Sequence, residues 1–182
     1  RFTVATNVSG ETWVTVQAVD TGGIANGGID RSPVDRFLLR VEAVNDPPSW
    51  TLANAISGNI EDSPIVSLKG MRLSDPDVDG QPLDVTLELD SEATWLERSL
   101  PDGLQRVGGS EGVLRWWGPL DRLNQALDEL SFRTATNFFG TQNIRLTVSD
   151  LGSSGKGGAQ VSSVPLLVSV TPVNDAPSFN AL

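Results

Sequence analysis

The 182-residue chain contains no histidine, no cysteine and no tyrosine, and only one methionine. Each absence closes a class of chemistry. Without His or Cys there is no Ser/His/Asp triad, no Cys/His nucleophile, no zinc site of imidazole and thiolate ligands and no iron–sulfur cluster. Without Cys no disulfide holds the fold; a secreted domain of this size need not use one, so the redox compartment stays open. Carboxylates are the strong metal ligands that remain. Carboxylate, carbonyl and water oxygens suit hard cations, with Ca²⁺ and Mg²⁺ first among them.

Positive charge is also scarce. Thirteen Lys and Arg stand against 23 Asp and Glu, a net charge of −10, and such a surface repels phosphate backbones and anionic lipid. Nucleic acid is therefore not an expected partner. No apolar run approaches the ~20 residues of a membrane span, so no membrane insertion is expected in this segment. Residues 1–10 show no signal-peptide pattern, which would place the signal of a secreted protein outside the segment. What is present is enough for a core: hydrophobic residues make up 38% of the chain and include five Trp, despite 18 Gly and 11 Pro. That balance argues against wholesale disorder.

The chain repeats itself. RFTVATNVSGETWVTVQAVD, beginning at Arg1, aligns without a gap on SFRTATNFFGTQNIRLTVSD, beginning at Ser131. Phe2 falls on Phe132, Ala5-Thr6-Asn7 on Ala135-Thr136-Asn137, Gly10 on Gly140 and Asp20 on Asp150. One residue is then dropped, and Val44-Asn45-Asp46-Pro47-Pro48 matches Val173-Asn174-Asp175-Ala176-Pro177. The expected organisation is the C-terminal part of one repeat (1–46), a complete repeat (47–175) and the start of a third (176–182).

Within the unit, apolar residues alternate with period two between Gly, Pro, Asn and Asp punctuation, which predicts strands over 12–19, 37–44, 65–68, 85–89, 113–117, 144–148 and 164–170. Seven strands at this spacing predict an all-β sandwich. One stretch departs from it: Leu120, Leu123, Leu127 and Leu130 follow Gly118-Pro119 at steps of three and four. That spacing predicts a short inserted amphipathic helix that plugs one end of the core. Its polar side, Asp121, Arg122, Gln125, Asp128 and Glu129, reads as a solvated face.

The densest acidic run is Leu73-Ser74-Asp75-Pro76-Asp77-Val78-Asp79-Gly80, with Asp at alternate positions before a Gly. It is not an EF-hand loop, because Thr86 stands where the bidentate Glu of that loop belongs. A polar turn and a cation loop both fit the run, since Asp, Pro and Gly favour tight turns for backbone reasons alone. Further acids fall at the Asn45-Asp46 and Asn174-Asp175 junctions, at the strand-end Asp20 and Asp150, and at Glu61 in a separate loop. The loops of a sandwich gather at its two ends.

Leu73-Ser74-Asp75-Pro76-Asp77, Val148-Ser149-Asp150-Leu151-Gly152 and the Val-Asn-Asp-x-Pro junctions resemble the cadherin-like tandem repeats of extracellular adhesins and matrix proteins, including the related repeats of chondroitin-sulfate proteoglycans. The resemblance implies an Ig-like, cadherin-like Greek-key β-sandwich with Ca²⁺ between consecutive domains. It also implies that Asn45, Asp46, Asp75, Asp77 and Asp150 form one inter-repeat site. Glu61, Asn174 and Asp175 would belong to the next, and Asp20 would be a remnant of the one before. The implied protein is extracellular or on the cell surface. Its partners would be neighbouring repeats of the same chain, with a homotypic contact or a surface protein or glycan beyond them.

Two other classes fit parts of the sequence. A carbohydrate-binding module would use Trp116 and Trp117, because adjacent strand residues point one ring inward and one outward. A glycosidase would need two carboxylates in a cleft, one with a raised pKa, whereas the acids here gather at turns and junctions. No catalysis is expected in this segment. Asn7-Val8-Ser9 is a glycosylation sequon.

Overall fold

The computed structural model describes residues 2–52, 59–61, 65–90, 92–152 and 155–177. The chain divides into two compact units, residues 1–44 and 45–182. Asp62, within the loop that holds Glu61, and most of the last seven residues lie outside the described set.

The first unit is built on a hairpin of β1 (Gly10–Val16) and β2 (Asp35–Val41), with Trp13 opposite Leu38 and Val14 opposite Phe37. One face of the hairpin is polar in character. Arg40 pairs with Glu11 at 3.3 Å, and the Arg36 guanidinium lies 4.8 Å from the centre of the Trp13 ring. The opposite face carries Val14, Val16, Phe37, Leu39 and Val41. Their repeat counterparts Ile144, Leu146, Leu166, Val168 and Val170 are core residues of the second unit. Backbone detail repeats as well: Asn7 and Asn137 both take the left-handed conformation, with φ 56° and 59°.

In chain order the second unit contains β3 (Ser49–Thr51), β4 (Asn59–Ile60), β5 (Val66–Ser67), β6 (Arg72–Ser74), β7 (Pro82–Leu89), β8 (Thr94–Leu96), β9 (Gln105–Arg106), β10 (Val113–Pro119), α1 (Leu120–Glu129), β11 (Ser131–Arg133), β12 (Gly140–Ser149) and β13 (Val161–Thr171). The fold is all-β in character, and α1 is the single α-helix among the described residues. A six-stranded sheet runs β4-β13-β12-β7-β10-β9, a three-stranded sheet runs β5-β11-β8, and β3 pairs with β6.

Period-two alternation decides which side chains turn inward. Leu83, Val85 and Leu87 of β7, Leu114 and Trp116 of β10, Ile144, Leu146 and Val148 of β12, and Leu166 and Val168 of β13 are all buried. Val66, Phe132 and the α1 residues Leu123 and Leu127 join them in one core. Each such side chain contributes about 1.5–3 kcal/mol by leaving water. Helix α1 begins directly after Pro119, where the fixed φ of proline is suited to a helix start.

Asn124, on α1, ties the helix to β6. Its Oδ1 accepts the Leu73 N–H at 2.8 Å and its Nδ2 donates to the Leu73 carbonyl at 2.9 Å. One amide side chain thus stands where a neighbouring strand would, while β3 pairs Leu73 with Trp50 from its own side. The bond matters beyond β6, since the chain passes from Leu73 straight into Ser74 and Asp75. Asn124→Ala leaves both backbone groups of Leu73 without a protein partner, which costs about 1–3 kcal/mol. At about 2–4 °C per kcal/mol for a chain of this size, a circular dichroism melt should show a Tm lower by several degrees.

Candidate functional site

The site begins where β12 ends. Asp150 is 3% exposed. Its Oδ1 accepts the N–H of Gly152 at 2.9 Å and of Gln160 at 2.7 Å, while Oδ2 accepts Asn45 Nδ2 at 2.6 Å. Its own N–H donates to the Gln160 carbonyl. This carboxylate therefore closes the connection from β12 to β13. Gly152 is required there: its φ is +71°, and a Cβ would stand 2.7 Å from the Ala159 nitrogen. The repeat counterpart Asp20 makes the same local turn, accepting Gly22 N–H at 2.7 Å and donating its own N–H to Asp30. An Asp at a strand end followed by a Gly two residues on encodes this geometry locally.

Asn45 is the first residue of the second unit and is 5% exposed. Its N–H donates to the Lys156 carbonyl at 2.9 Å, and its Nδ2 donates both to Asp150 and to the Gly158 carbonyl at 2.8 Å. Asp46 follows, with its N–H on Asp77 Oδ2 at 2.5 Å. Asp77 N–H in turn donates to Asp75 Oδ1 at 2.9 Å. Asp75 thus makes a side-chain-to-backbone turn, backbone bonds from Asp79 N–H to the Asp77 carbonyl and from Gly80 N–H to the Val78 carbonyl continue it, and the loop ends at Gly80 with φ +71°. Asn45, Asp46, Asp75, Asp77 and Asp150 are brought together at one end of the unit.

The electrostatics centre on Asp75. Its Oδ2 is buried and has no hydrogen-bond partner among the described residues. Burial pushes the carboxyl above its ordinary pKa; the bonds from the Asp77 and Val78 backbones oppose this, and the charges of Asp150 and Asp77 add to it. A buried acceptor with two carboxylates near it is short of positive charge. It suits an oxygen-seeking cation that takes carboxylate, carbonyl and water ligands together. No group of three or more acidic residues is drawn into a ready-made cluster among the described residues, so carboxylates alone do not fill such a coordination shell.

Glu61 lies elsewhere. It is buried, its Oε2 accepts the Val173 N–H at 2.9 Å, and its N–H donates to the Thr171 carbonyl. That contact places it one residue before Asn174 and Asp175, both exposed, with Asn174 Nδ2 on the Asp175 carbonyl at 3.4 Å. Trp116 is 2% exposed and fills the core, so it offers no ring face to a sugar; the carbohydrate expectation is corrected at that residue. Trp117 points the other way from β10, half-buried, opposite Asp84 and Gln105. Sequence reasoning missed the 156–160 segment, whose backbone carbonyls and amides hold Asn45 and Asp150. Its only sequence signal is the Gly157-Gly158 pair.

The sign of the Asp75 shift makes a prediction for metal-free protein. The folded carboxyl holds its proton more tightly than the unfolded one, so Asp75 subtracts stability at neutral pH. The loss fades as pH falls through the folded pKa toward the ordinary value of 3.8. Asp75→Asn in EDTA should raise Tm at pH 7 by about 1–3 °C and leave it unchanged near pH 4. A lower Tm at pH 7 by scanning calorimetry would count against this account of the site.

In comparisons with known proteins, no protein-family model and no curated protein sequence matches this chain.

Proposed function

We propose that the protein is an extracellular calcium-binding tandem-repeat module of an adhesive or structural protein, such as a matrix, filament or surface-appendage protein. In this reading the second unit is an Ig-like or cadherin-like Greek-key sandwich, and Ca²⁺ stiffens the junction between consecutive repeats. Asn45, Asp46, Asp75, Asp77 and Asp150 hold the ion, and Glu61, Asn174 and Asp175 contribute to the following junction. The module is not catalytic.

The observation that carries the reading is the buried, partnerless Oδ2 of Asp75, set beside Asp77 and Asp150. Carboxylates held together at reduced dielectric repel one another, and a divalent cation cancels that repulsion. Its position supports a junction role, because Asn45 and Asp46 directly follow the last residue of the first unit. An ion held by Asp46 together with Asp75 and Asp77 would fix the direction in which the chain enters the repeat. Extracellular modules bind Ca²⁺ with Kd of roughly 10⁻⁴–10⁻³ M, a range filled outside cells and nearly empty in the cytosol.

Calorimetric titration with CaCl₂ should show saturable binding, and calcium at about ten times Kd should add about 1.4 kcal/mol, or some 3–6 °C in Tm. Asp75→Ala with Asp77→Ala should abolish both effects while the metal-free protein still folds. The gain should shrink as pH falls, because the raised pKa of Asp75 lets protons compete with the ion for its carboxylate. Absence of heat and of any Tm change in millimolar calcium would overturn the proposal.

A further inference from the structure

A second polar node, distinct from the acidic end, lies where the two sheets finish side by side. β8 ends the three-stranded sheet and β9 ends the six-stranded one. Glu97, the residue after β8, spans the gap: its Oε2 accepts Nη1 of Arg106, on β9, at 2.9 Å. Arg106 pairs in register with Trp116 of β10, and cross-strand partners share a face. The ion pair thus carries the Glu97 head group to the face of the six-stranded sheet on which Trp116 is buried.

Two atoms of this node are left over. Trp116 Nε1 and Glu97 Oε1 are both buried, and neither has a hydrogen-bond partner among the described residues. The first only donates and the second, on an ionised carboxylate, only accepts. Trp116 as a whole is 2% exposed. Both side chains line one small cavity of about 20 Å³, completed by the 98–101 segment and by Ala126 and Leu130 near the C-terminal end of α1. The exposed Arg98 and Glu129 also line it and add one charge of each sign.

Size and chemistry together select the guest. A water needs about 10–15 Å³ and from about two to four polar partners, so the cavity has room for one and little more. A metal ion or an ammonium takes the Glu97 oxygen but has no lone pair for the indole N–H. A halide accepts from the indole but has no proton for the carboxylate. Water does both, and leaving either group buried without a partner is costly. We propose that the cavity between Glu97, Trp116 and α1 binds a single ordered water, which accepts from Trp116 Nε1 and donates to Glu97 Oε1. Hydrogen bonds then run from β10 through the water and Glu97 to Arg106, and tie β10 to the end of β8, a strand of the other sheet. The site shares no residue with the proposed calcium centre, so it is filled alike in calcium and in EDTA.

The test is magnetisation transfer between water and the indole protons of the whole ¹⁵N-labelled chain, recorded in EDTA and again in calcium. The five Trp give five indole signals, and Trp116→Phe identifies the one that matters. Its cross-peak to water should have opposite signs in laboratory-frame and rotating-frame Overhauser spectra, the mark of a water held longer than the protein takes to tumble. Proton exchange with solvent gives the same sign in both. Glu97→Leu leaves the water without its acceptor and should abolish the cross-peak. Ser99→Ala removes the one hydroxyl among the lining side chains, a group able to relay solvent protons, and should leave it intact. If Glu97→Leu does not fold, the wild-type spectra decide by themselves. No cross-peak at Trp116, equal signs in the two spectra, loss of the peak in Ser99→Ala, or its survival in folded Glu97→Leu would overturn the proposal.

Discussion

The end of the molecule that carries the acidic loops depends on one buried carboxylate. Asp150 shares its two oxygens among three donors, two of them backbone N–H groups of its own connection and the third the side chain of Asn45. A carboxylate taken out of water survives only with such compensation. The same bonds close the turn from β12 to β13 and fix the first residue of the unit. They also fix the position of the Asp150 carboxylate near Asp75, and its charge is one of the causes that raise the pKa of that group. Fold and charge imbalance at this end therefore share one origin.

The interior and the acidic end follow opposite rules. Across the core, Trp116, Phe132 and the leucines of β7, β12 and α1 bury without polar demand beyond the indole N–H of Trp116. At the acidic end, Asp75 keeps a buried oxygen for which the described residues supply no donor. A group that lowers the stability of the free protein while organising a loop around itself is the kind of local violation expected where a ligand completes the structure.

Much of this was legible in the sequence because it is encoded locally. The hydrophobic alternation of β7, β10, β12 and β13 and the three-and-four spacing of α1 appear as elements, with ends moved by a few residues: the expected 144–148 strand is Gly140–Ser149, and the expected 37–44 strand is Asp35–Val41. The turn at Asp150 was legible twice, since Asp20 repeats it. β3, β4, β6, β8, β9 and β11 were not, because strands of two or three residues hold too few alternations to show a period. Asn124 reads from sequence as one more polar position on a helix, and only the approach of Leu73 gives it a role. Glu97 and Arg106 come together only because two sheets end side by side, and no spacing along the chain encodes that meeting.

The anchoring of Asn45 and Asp46 also determines how the second unit meets tension along the chain. Its first strand, β3, is held to β6 by a short ladder from Ser49↔Ser74 to Thr51↔Arg72, a weak place for a pulled end to begin. The pull does not arrive there first. Coming from Val44, it meets the bonds of Asn45 to Lys156, Asp150 and Gly158 and that of Asp46 to Asp77. The bond to Asp77 passes load to the loop between β6 and β7, and those of Asn45 pass it to the connection between β12 and β13, which are paired along nearly their whole length. The strand that would peel most easily is thus sheltered behind a clasp fastened to the longest hairpin in the unit.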